Sequence, residues 1–234
     1  MRYYPLFMDL HGTNCLVLGA GSVGRRKIAT LLECAPASVL VLDPNQDALA
    51  AAKALPCPPE TELRCEAREF RAGDLCGVSL AFAATPQADV NSMLARACRE
   101  RGILCNTSGP LQDAGGNFLV PSHIENGPMI LALSTGGGSP ALAKALREEL
   151  EQSLDKGYAL LIRLLEALRQ PLIAMGLGSA ADARVFRALC ARPLRQQLMT
   201  ALQEGDAEKT DALLRPVLPA GFRFSAKEFL HGLD

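Results

Sequence analysis

Tryptophan is absent from the chain, and aromatic residues make up only 5% of its 234 positions. Single-stranded nucleic acids are bound largely by stacking their bases on aromatic rings, so this composition argues against such a role. Charge is nearly balanced, at a formal −1, and gives no bulk attraction for nucleic acid or a membrane surface. No apolar run approaches the roughly 20 residues of a membrane span, and the N-terminus does not resemble a secretory signal. We therefore expect a cytoplasmic globular protein that binds neither nucleic acid nor membrane.

Clustered metal ligands are missing as well. The eight cysteines form no Cys-x-x-Cys pair, whereas a structural zinc site requires grouped ligands. Cys15, Cys65 and Cys105 lie in apolar segments predicted as strands, where a thiol packs as a small core residue. We predict reduced thiols in an intracellular protein, and no metal site.

What the chain does contain is a glycine-rich turn directly after a short apolar run at 15–18. An apolar run ended by glycine is typical of a buried parallel strand, and a helix is predicted from residue 23 onward. In such a turn Gly19 allows the tight bend, Gly21 lets the backbone approach a pyrophosphate, and Gly24 lets the helix pack closely on the strand. The first N–H groups of the helix then point at the anion.

A carboxylate follows the glycines at the distance that a dinucleotide site requires. The apolar run at 39–42 ends in Asp43, close to the spacing of roughly 20 residues at which an acidic residue meets the adenosine ribose. An acidic residue there repels a 2′-phosphate, which favours NAD over NADP. The alternative is that Asp43 only begins a turn. The predicted cofactor-binding residues are Gly19, Gly21, Ser22, Val23, Gly24, Asp43, Pro44 and Thr85.

Strands and helices alternate up to residue 106, which predicts an α/β fold with a parallel, doubly wound sheet. The strands are predicted at 15–18, 39–42, 63–68, 80–84 and 103–106, with an edge strand at 3–10; the helices are predicted at 23–34, 47–55 and 89–101. Ligands of such sheets bind at the carboxyl ends of the strands. Two strand-like runs, at 118–120 and 129–133, then precede a helix at 141–154 and a mostly helical remainder.

Three consecutive cations, Arg25, Arg26 and Lys27, stand near the start of the first helix, where positive charge opposes the helix dipole. They form either a solvated basic face or a surface for an acidic ligand. The sequence alone leaves both interpretations open.

Taken together, these residues resemble the precorrin-2 dehydrogenase family, the NAD-dependent module of sirohaem synthesis. The glycine-rich turn continuing into Arg-Arg-Lys, and the later run Ser-Thr-Gly-Gly-Gly-Ser-Pro, are more specific than the glycines alone. The matching segments are 4–7, 15–27, 83–85, 105–106, 117–122, 127–128 and 134–147.

The resemblance implies oxidation of precorrin-2, an acidic tetrapyrrole, to sirohydrochlorin with NAD as hydride acceptor; some members also insert iron. It implies a Rossmann-like parallel sheet at 1–110, a small β-containing dimerisation segment at 111–150 and a helical C-terminal domain at 151–234, assembled as a homodimer. The expected substrate-binding residues are Asn106, Ser134, Thr135, Gly136, Lys144 and Arg147. For Arg147 the alternative is a surface ion pair with Glu151, four residues on.

One position departs from the family pattern. The family carries a catalytic aspartate three residues after the asparagine of the fifth strand, and this chain has Gly109 there. Asp113 in the following loop and His123 are the predicted catalytic residues in its place; the alternatives are a solvated loop carboxylate and a structural histidine.

Two other functions remain open, a non-catalytic NAD-sensing module and a different small-molecule NAD dehydrogenase. A short-chain dehydrogenase is disfavoured because Tyr158 is followed at four residues by Ile162 and not by lysine.

Overall fold

A computed structural model describes residues 3–108 and 115–233 of the chain. It divides into two compact units, the first formed by Met1–Val120 with Ser134–Pro140 and the second by Pro121–Leu133 with Ala141–Asp234. The elements of the first unit are β1 (Asn14–Leu18), α1 (Ser22–Glu33), β2 (Ser38–Leu42), α2 (Gln46–Lys53), β3 (Glu62–Glu66), a 3₁₀ turn (Ala72–Leu75), β4 (Val78–Ala83), α3 (Ala88–Glu100) and β5 (Leu104–Thr107). They are followed by β6 (Ser122–Asn126), β7 (Met129–Leu133), α4 (Pro140–Ser153), α5 (Gly157–Ala174), α6 (Ser179–Cys190), α7 (Leu194–Gln203), α8 (Ala207–Leu214) and α9 (Ala226–His231).

The first unit is built on a five-stranded sheet in the order β3-β2-β1-β4-β5, with every neighbouring pair parallel. This confirms the predicted Rossmann-like α/β fold. The order reverses between β1 and β4, because the chain runs outward from β1 to β3 and then returns to the other side of β1. In open α/β sheets this switch point is where ligands bind, at the carboxyl ends of the strands.

Alternation along the strands sends side chains into two cores. Cys15 and Val17 of β1 pack on the face covered by α1 and α2, together with Ile28 and Leu49. The next residues along the same strand point to the opposite face, which α3 covers with Leu94, Ala95 and Cys98. Burial on both faces explains why the three central strands, β1, β2 and β4, have largely apolar sequences.

The outer edge of β5 is closed by a side chain. The Asn117 amide accepts from the Cys105 N–H at 2.8 Å and donates to the Ile103 carbonyl at 3.2 Å, so it replaces part of a neighbouring strand. The predicted strand at 118–120 is therefore wrong: this stretch runs past the edge without strand pairing, and the ring of Phe118 packs on Phe82 instead.

The predicted edge strand at 3–10 is also wrong. Described residues of this stretch form no ladder, and the nearest strand-like contact is an isolated bridge between His11 and Pro36. Pro5 lacks the N–H that a ladder needs, and Tyr4 and Phe7 are 83% and 70% exposed.

The second unit combines a hairpin with helices. Strands β6 and β7 pair antiparallel across a turn at Gly127, whose φ of +58° suits glycine. Helices α5 to α9 enclose a core that includes Leu164, Leu168 and Leu198, all fully buried. The predicted β-containing middle and helical C-terminal region are thereby confirmed. None of the helices in the described ranges is long and apolar enough to cross a membrane.

Candidate functional site

The glycine-rich turn joins β1 to α1 at the switch point, and two of its glycines are required by the fold. Gly19 has φ +99°, and a Cβ there would lie 2.6 Å from the Ala84 carbonyl oxygen. A Cβ on Gly24 would collide with the Gly19 carbonyl oxygen. Both positions therefore exclude a side chain because of the protein's own backbone.

Gly21 is different, because a Cβ there would meet no protein atom within 4 Å. The residue is the N-cap of α1, and no side chain caps that helix. The open space beside Gly21 and the uncapped helix start fit the pyrophosphate of a dinucleotide, which takes its hydrogen bonds from backbone N–H groups. Ser22 and Val23 provide the next amides and are exposed.

Asp43 stands at the end of β2 and is bonded to the turn. Its carboxylate accepts from the Ala20 N–H at 2.7 Å and from the Asn45 N–H at 2.8 Å. The structure thus brings the carboxylate and the glycine-rich turn together, as the motif predicts. Each oxygen retains a lone pair that can accept from a ribose hydroxyl.

The turn after β4 is held by a residue that the motifs did not single out. Asn91 on α3 is only 3% exposed, and its side-chain oxygen accepts from the Thr85 N–H at 3.2 Å and from the Thr85 hydroxyl at 2.8 Å. Its amide nitrogen donates to the Thr85 carbonyl at 2.9 Å. The available signal was an asparagine in register with Leu94 and Cys98 on the apolar face of a helix.

Thr85 also lies beside the glycine-rich turn, since its backbone nitrogen is 3.0 Å from the position that a Gly19 Cβ would take. Asn91 therefore fixes one wall of the switch point.

Asn106, next to last in β5, donates from its side-chain amide to the Phe118 carbonyl at 3.1 Å.

The three cations of α1 occupy three environments. Arg25 donates to the Ala20 carbonyl at 3.2 Å, and Arg26 is exposed. Lys27 is half-buried, with its Nζ 5.6 Å from the centre of the Phe82 ring. Burial, and to a smaller extent the charge of Arg26, lowers the pKa of Lys27.

The Ser134–Ser139 turn is internally hydrogen bonded. The Thr135 hydroxyl donates to the Ser139 carbonyl at 3.1 Å and accepts from the Ser139 N–H at 3.2 Å, and the Gly136 N–H donates to the Ser134 hydroxyl at 3.1 Å. On α4, Arg147 contacts Glu151 at 2.6 Å and Glu148 at 3.4 Å. Lys144 is 72% exposed and lies 3.8 Å from Glu148. The substrate-binding role of these residues stays a prediction.

Of the two predicted catalytic residues, Asp113 lies outside the described residues. His123 is on β6, where its Nε2 is 3.8 Å from an oxygen of Glu125 and its side chain is 39% exposed. Residues 3–108 and 115–233 contain no group of three or more His, Cys, Asp or Glu side chains arranged to hold a metal ion. Burial raises the pKa of the Cys15 thiol to about 11, as suits a core residue.

Two family models match this chain. One, described as putative NAD(P)-binding, covers residues 6–122; the other, described as sirohaem biosynthesis protein central, covers residues 126–153. The solved structure of the precorrin-2 dehydrogenase SirC superposes with a TM-score of 0.68 at 23% identity, over 92% of this chain and 98% of that chain, which shows a shared fold.

Curated relatives extend the similarity. The siroheme synthase of Thioalkalivibrio sulfidiphilus is 32% identical over 215 residues, or 92% of this chain and 42% of that protein. Siroheme synthase 2 of Pectobacterium atrosepticum is 32% identical over 91% of this chain and 44% of that protein, and the siroheme synthase of Chromobacterium violaceum is 31% identical over 94% and 45%. The chain therefore spans less than half the length of these relatives.

The sheet order, the glycine-rich turn and the carboxylate at the end of β2 define a Rossmann-type NAD(P)-binding protein. With both models and these relatives in agreement, the chain belongs to the precorrin-2 dehydrogenase family of sirohaem biosynthesis.

Proposed function

We propose that this chain oxidises precorrin-2 to sirohydrochlorin and uses NAD as the hydride acceptor. The observation that carries the proposal is the open space beside Gly21, at a helix start with no side-chain cap. It occurs at the switch point of a chain whose relatives are siroheme synthases. Asp43 supports NAD over NADP, because a carboxylate repels a 2′-phosphate.

When bound, the nicotinamide ring takes up the hydride, and the protein supplies binding and orientation. The N–H groups at the start of α1 hold the pyrophosphate, and Asp43 accepts from the ribose. Asn91 keeps the Thr85 turn in one conformation, which limits how the cofactor and substrate are aligned at the switch point.

Proton removal is the less constrained half of the reaction. Gly109 replaces the family's aspartate, so Asp113 or His123 is proposed to accept the proton. Because hydride transfer is the cofactor's own chemistry, a weak acceptor or water is sufficient for this step.

The test is to incubate the full chain with precorrin-2 and NAD, and separately with NADP, while following nicotinamide absorbance and the spectrum of sirohydrochlorin. The proposal requires turnover that is faster with NAD. In a parallel assay, ferrous iron is added to the product, and the appearance of the sirohaem spectrum tests iron insertion.

The second candidate function is a non-catalytic NAD sensor, and Gly109 in place of the family's catalytic aspartate is the observation that favours it. NAD binding by calorimetry without any oxidation of precorrin-2 would support the sensor and contradict the dehydrogenase.

We also propose that the chain acts as a homodimer in the cytoplasm. Support for the dimer comes from exposed apolar residues in the segment that the family resemblance assigns to dimerisation, among them Ile130 at 48% and Leu150 at 43% exposure.

A further inference from the structure

Lys27 is placed unusually for a lysine on a surface helix. Its neighbours Arg25 and Arg26 have ordinary environments, a backbone carbonyl in one case and solvent in the other. Lys27 instead turns toward the sheet and lies half-buried over the face of Phe82, with 5.6 Å between Nζ and the ring centre. No carboxylate contributes to its electrostatic environment in the described parts of the chain.

The position of Phe82 locates this ammonium group. Phe82 is next to last in β4 and lies opposite Val17 of β1 and Asn106 of β5. The Phe118 ring packs edge-on against it, with centroids 5.7 Å apart. Lys27 therefore lies at the carboxyl edge of the sheet on the β4 side of the switch point, whereas Asp43 lies on the β2 side.

This arrangement is unfavourable without a bound anion. Burial removes water from an ammonium group, and the only attraction seen among the described residues is the weak one to the ring face. A ligand carboxylate in hydrogen-bonding contact would offset this cost.

The side of the switch point on which Lys27 lies indicates which anion it binds. The pyrophosphate belongs at Gly21 and the first amides of α1, and Lys27 is five residues beyond Ser22, about 7.5 Å along the helix axis. The adenosine belongs with Asp43 on the β2 side. The β4 side is left for the reacting end of the cofactor and for the substrate, which is an acidic tetrapyrrole.

Resting on the function proposed above, we propose that the Lys27 ammonium group binds a carboxylate of the tetrapyrrole at the carboxyl edge of β4. The aromatic pair of Phe82 and Phe118 forms the apolar support beneath that contact. Lys27 is thus a substrate-binding residue that acts independently of the glycine-rich turn.

The experiment compares Lys27→Met, Lys27→Arg and Arg26→Met. Lys27→Met keeps the apolar stem and removes the charge, and Arg26→Met removes a neighbouring charge that is exposed. Sirohydrochlorin binding, measured by absorbance titration in the absence of NAD, should weaken about 10- to 100-fold in Lys27→Met, the range for loss of a charge-assisted hydrogen bond. Lys27→Arg should retain most of the affinity, and Arg26→Met should stay within about 2-fold of the wild type.

Two further measurements separate this role from others. NAD affinity by calorimetry should be unchanged in Lys27→Met, and thermal unfolding without ligand should be unchanged or shifted upward, because an unfavourably placed charge has been removed. In the wild type, the NMR signal of the Lys27 ammonium should shift when sirohydrochlorin is added, which requires no variant.

Sirohydrochlorin affinity that is unchanged in Lys27→Met would overturn the proposal and leave Lys27 as a packing residue whose stem covers apolar surface. Loss of NAD affinity with normal tetrapyrrole binding would assign the contact to the cofactor's phosphates and would also overturn it. An equal loss in Arg26→Met would show a general field effect. Wild-type protein that binds no tetrapyrrole would contradict the proposed function itself.

Discussion

The glycines of the glycine-rich turn differ in what excludes a side chain at each position. This difference distinguishes the glycines required by the fold from the glycine proposed to bind a ligand. At Gly19 and Gly24 the obstacle is protein backbone, so a substitution must disturb β4 or α1. At Gly21 the surrounding space is open, and only a ligand would fill it. The same motif therefore contains two residues needed for the fold, Gly19 and Gly24, and one residue, Gly21, that we propose is needed for the cofactor.

We expect Gly21→Val to abolish NAD binding in a calorimetric titration while the protein stays folded. The valine side chain fills the space of the pyrophosphate, and its effect on unfolding should stay within about 1 kcal/mol, the scale of an N-cap change. Gly19→Val is the matched control and should destabilise the protein by about 1–3 kcal/mol or more, because φ is +99° and the backbone of Ala84 is too close. Undiminished NAD binding by Gly21→Val would remove this turn from the proposed site.

Asp43 bonds to the glycine-rich turn in the structure and has a proposed second role in cofactor choice, and two substitutions can separate the two. Asp43→Asn retains an acceptor for the Ala20 N–H but loses the negative charge, whereas Asp43→Ser loses both. The preference for NAD over NADP should narrow by about 10-fold or more in each, since hydrogen bonds to charged groups contribute roughly 1.5–3 kcal/mol. Only Asp43→Ser should also unfold at lower urea concentration. A wild type that prefers NADP would contradict the role given to Asp43.

At the scale of elements, sequence patterns located most of the fold. Predicted and observed bounds of β1 and β2 agree within one residue, because a buried parallel strand is an unbroken apolar run. The stretch at 118–120 is apolar as well, but it forms no strand. The Phe118 ring packs on Phe82, and the side-chain amide of the neighbouring Asn117 occupies the sheet edge. Strand β6 was missed because its sequence, Ser-His-Ile-Glu-Asn, offers a single apolar residue.

The site was predictable where a motif fixes it and unpredictable where no motif does. The glycines and the carboxylate after β2 follow the spacing of a dinucleotide site, and the structure joins them as expected, although Ala20 and Asp43 are 23 residues apart. The contact of Lys27 with Phe82 depends on the way α1 packs on β4, and no spacing rule in one sequence encodes it. The bonds between Thr85 and Asn91 span only six residues, but they belong to no motif that the sequence displays.

Helix α3 provides a test of the Thr85 turn. Asn91→Leu matches the apolar face of the helix but leaves the Thr85 N–H and carbonyl without their partner, which should destabilise the protein by about 1–3 kcal/mol in urea unfolding. NAD affinity should fall as well, since this turn forms a wall of the switch point. Arg96→Ala, exposed on the same helix, should stay within about 0.5 kcal/mol of the wild type. An Asn91→Leu protein with normal stability and normal NAD affinity would contradict this account.

Helix α4 presents Arg147 to two carboxylates, and a substrate carboxylate would have to replace them. If Arg147 binds precorrin-2, Arg147→Ala should raise the Michaelis constant for precorrin-2 about 3- to 10-fold, whereas Glu151→Gln, which removes the closer of its two carboxylate partners, should lower it. Affinity for NAD should not change in either variant. If the Arg147–Glu151 contact is only a surface ion pair, which contributes about 0.2–0.5 kcal/mol, neither variant should change the Michaelis constant for precorrin-2.

At the scale of the whole molecule, the sequence is close to neutral, and its exposed apolar residues become the main guide to assembly. Strand β7 has its central residues exposed on both faces, with Ile130 at 48% and Leu131 at 39%. A two-stranded hairpin with so little cover is marginal alone in water. A second copy of the chain covering this segment would supply the missing burial, which is the basis for the proposed homodimer.

We expect the wild type to sediment as a dimer and Ile130→Lys to shift it toward monomer, raising the dissociation constant at least about 10-fold. Lysine is tolerated by the hairpin itself, because residue 130 lies directly opposite Glu125 and opposite charges on paired strands are favourable. Ile173→Lys is the matched control, since Ile173 is equally exposed at 49% but lies on α5, outside the predicted dimerisation segment. Circular dichroism should show both variants folded. A monomeric wild type would contradict the dimer, and an equal loss of dimer in Ile173→Lys would show that solubility or general surface charge, rather than the hairpin, controls association.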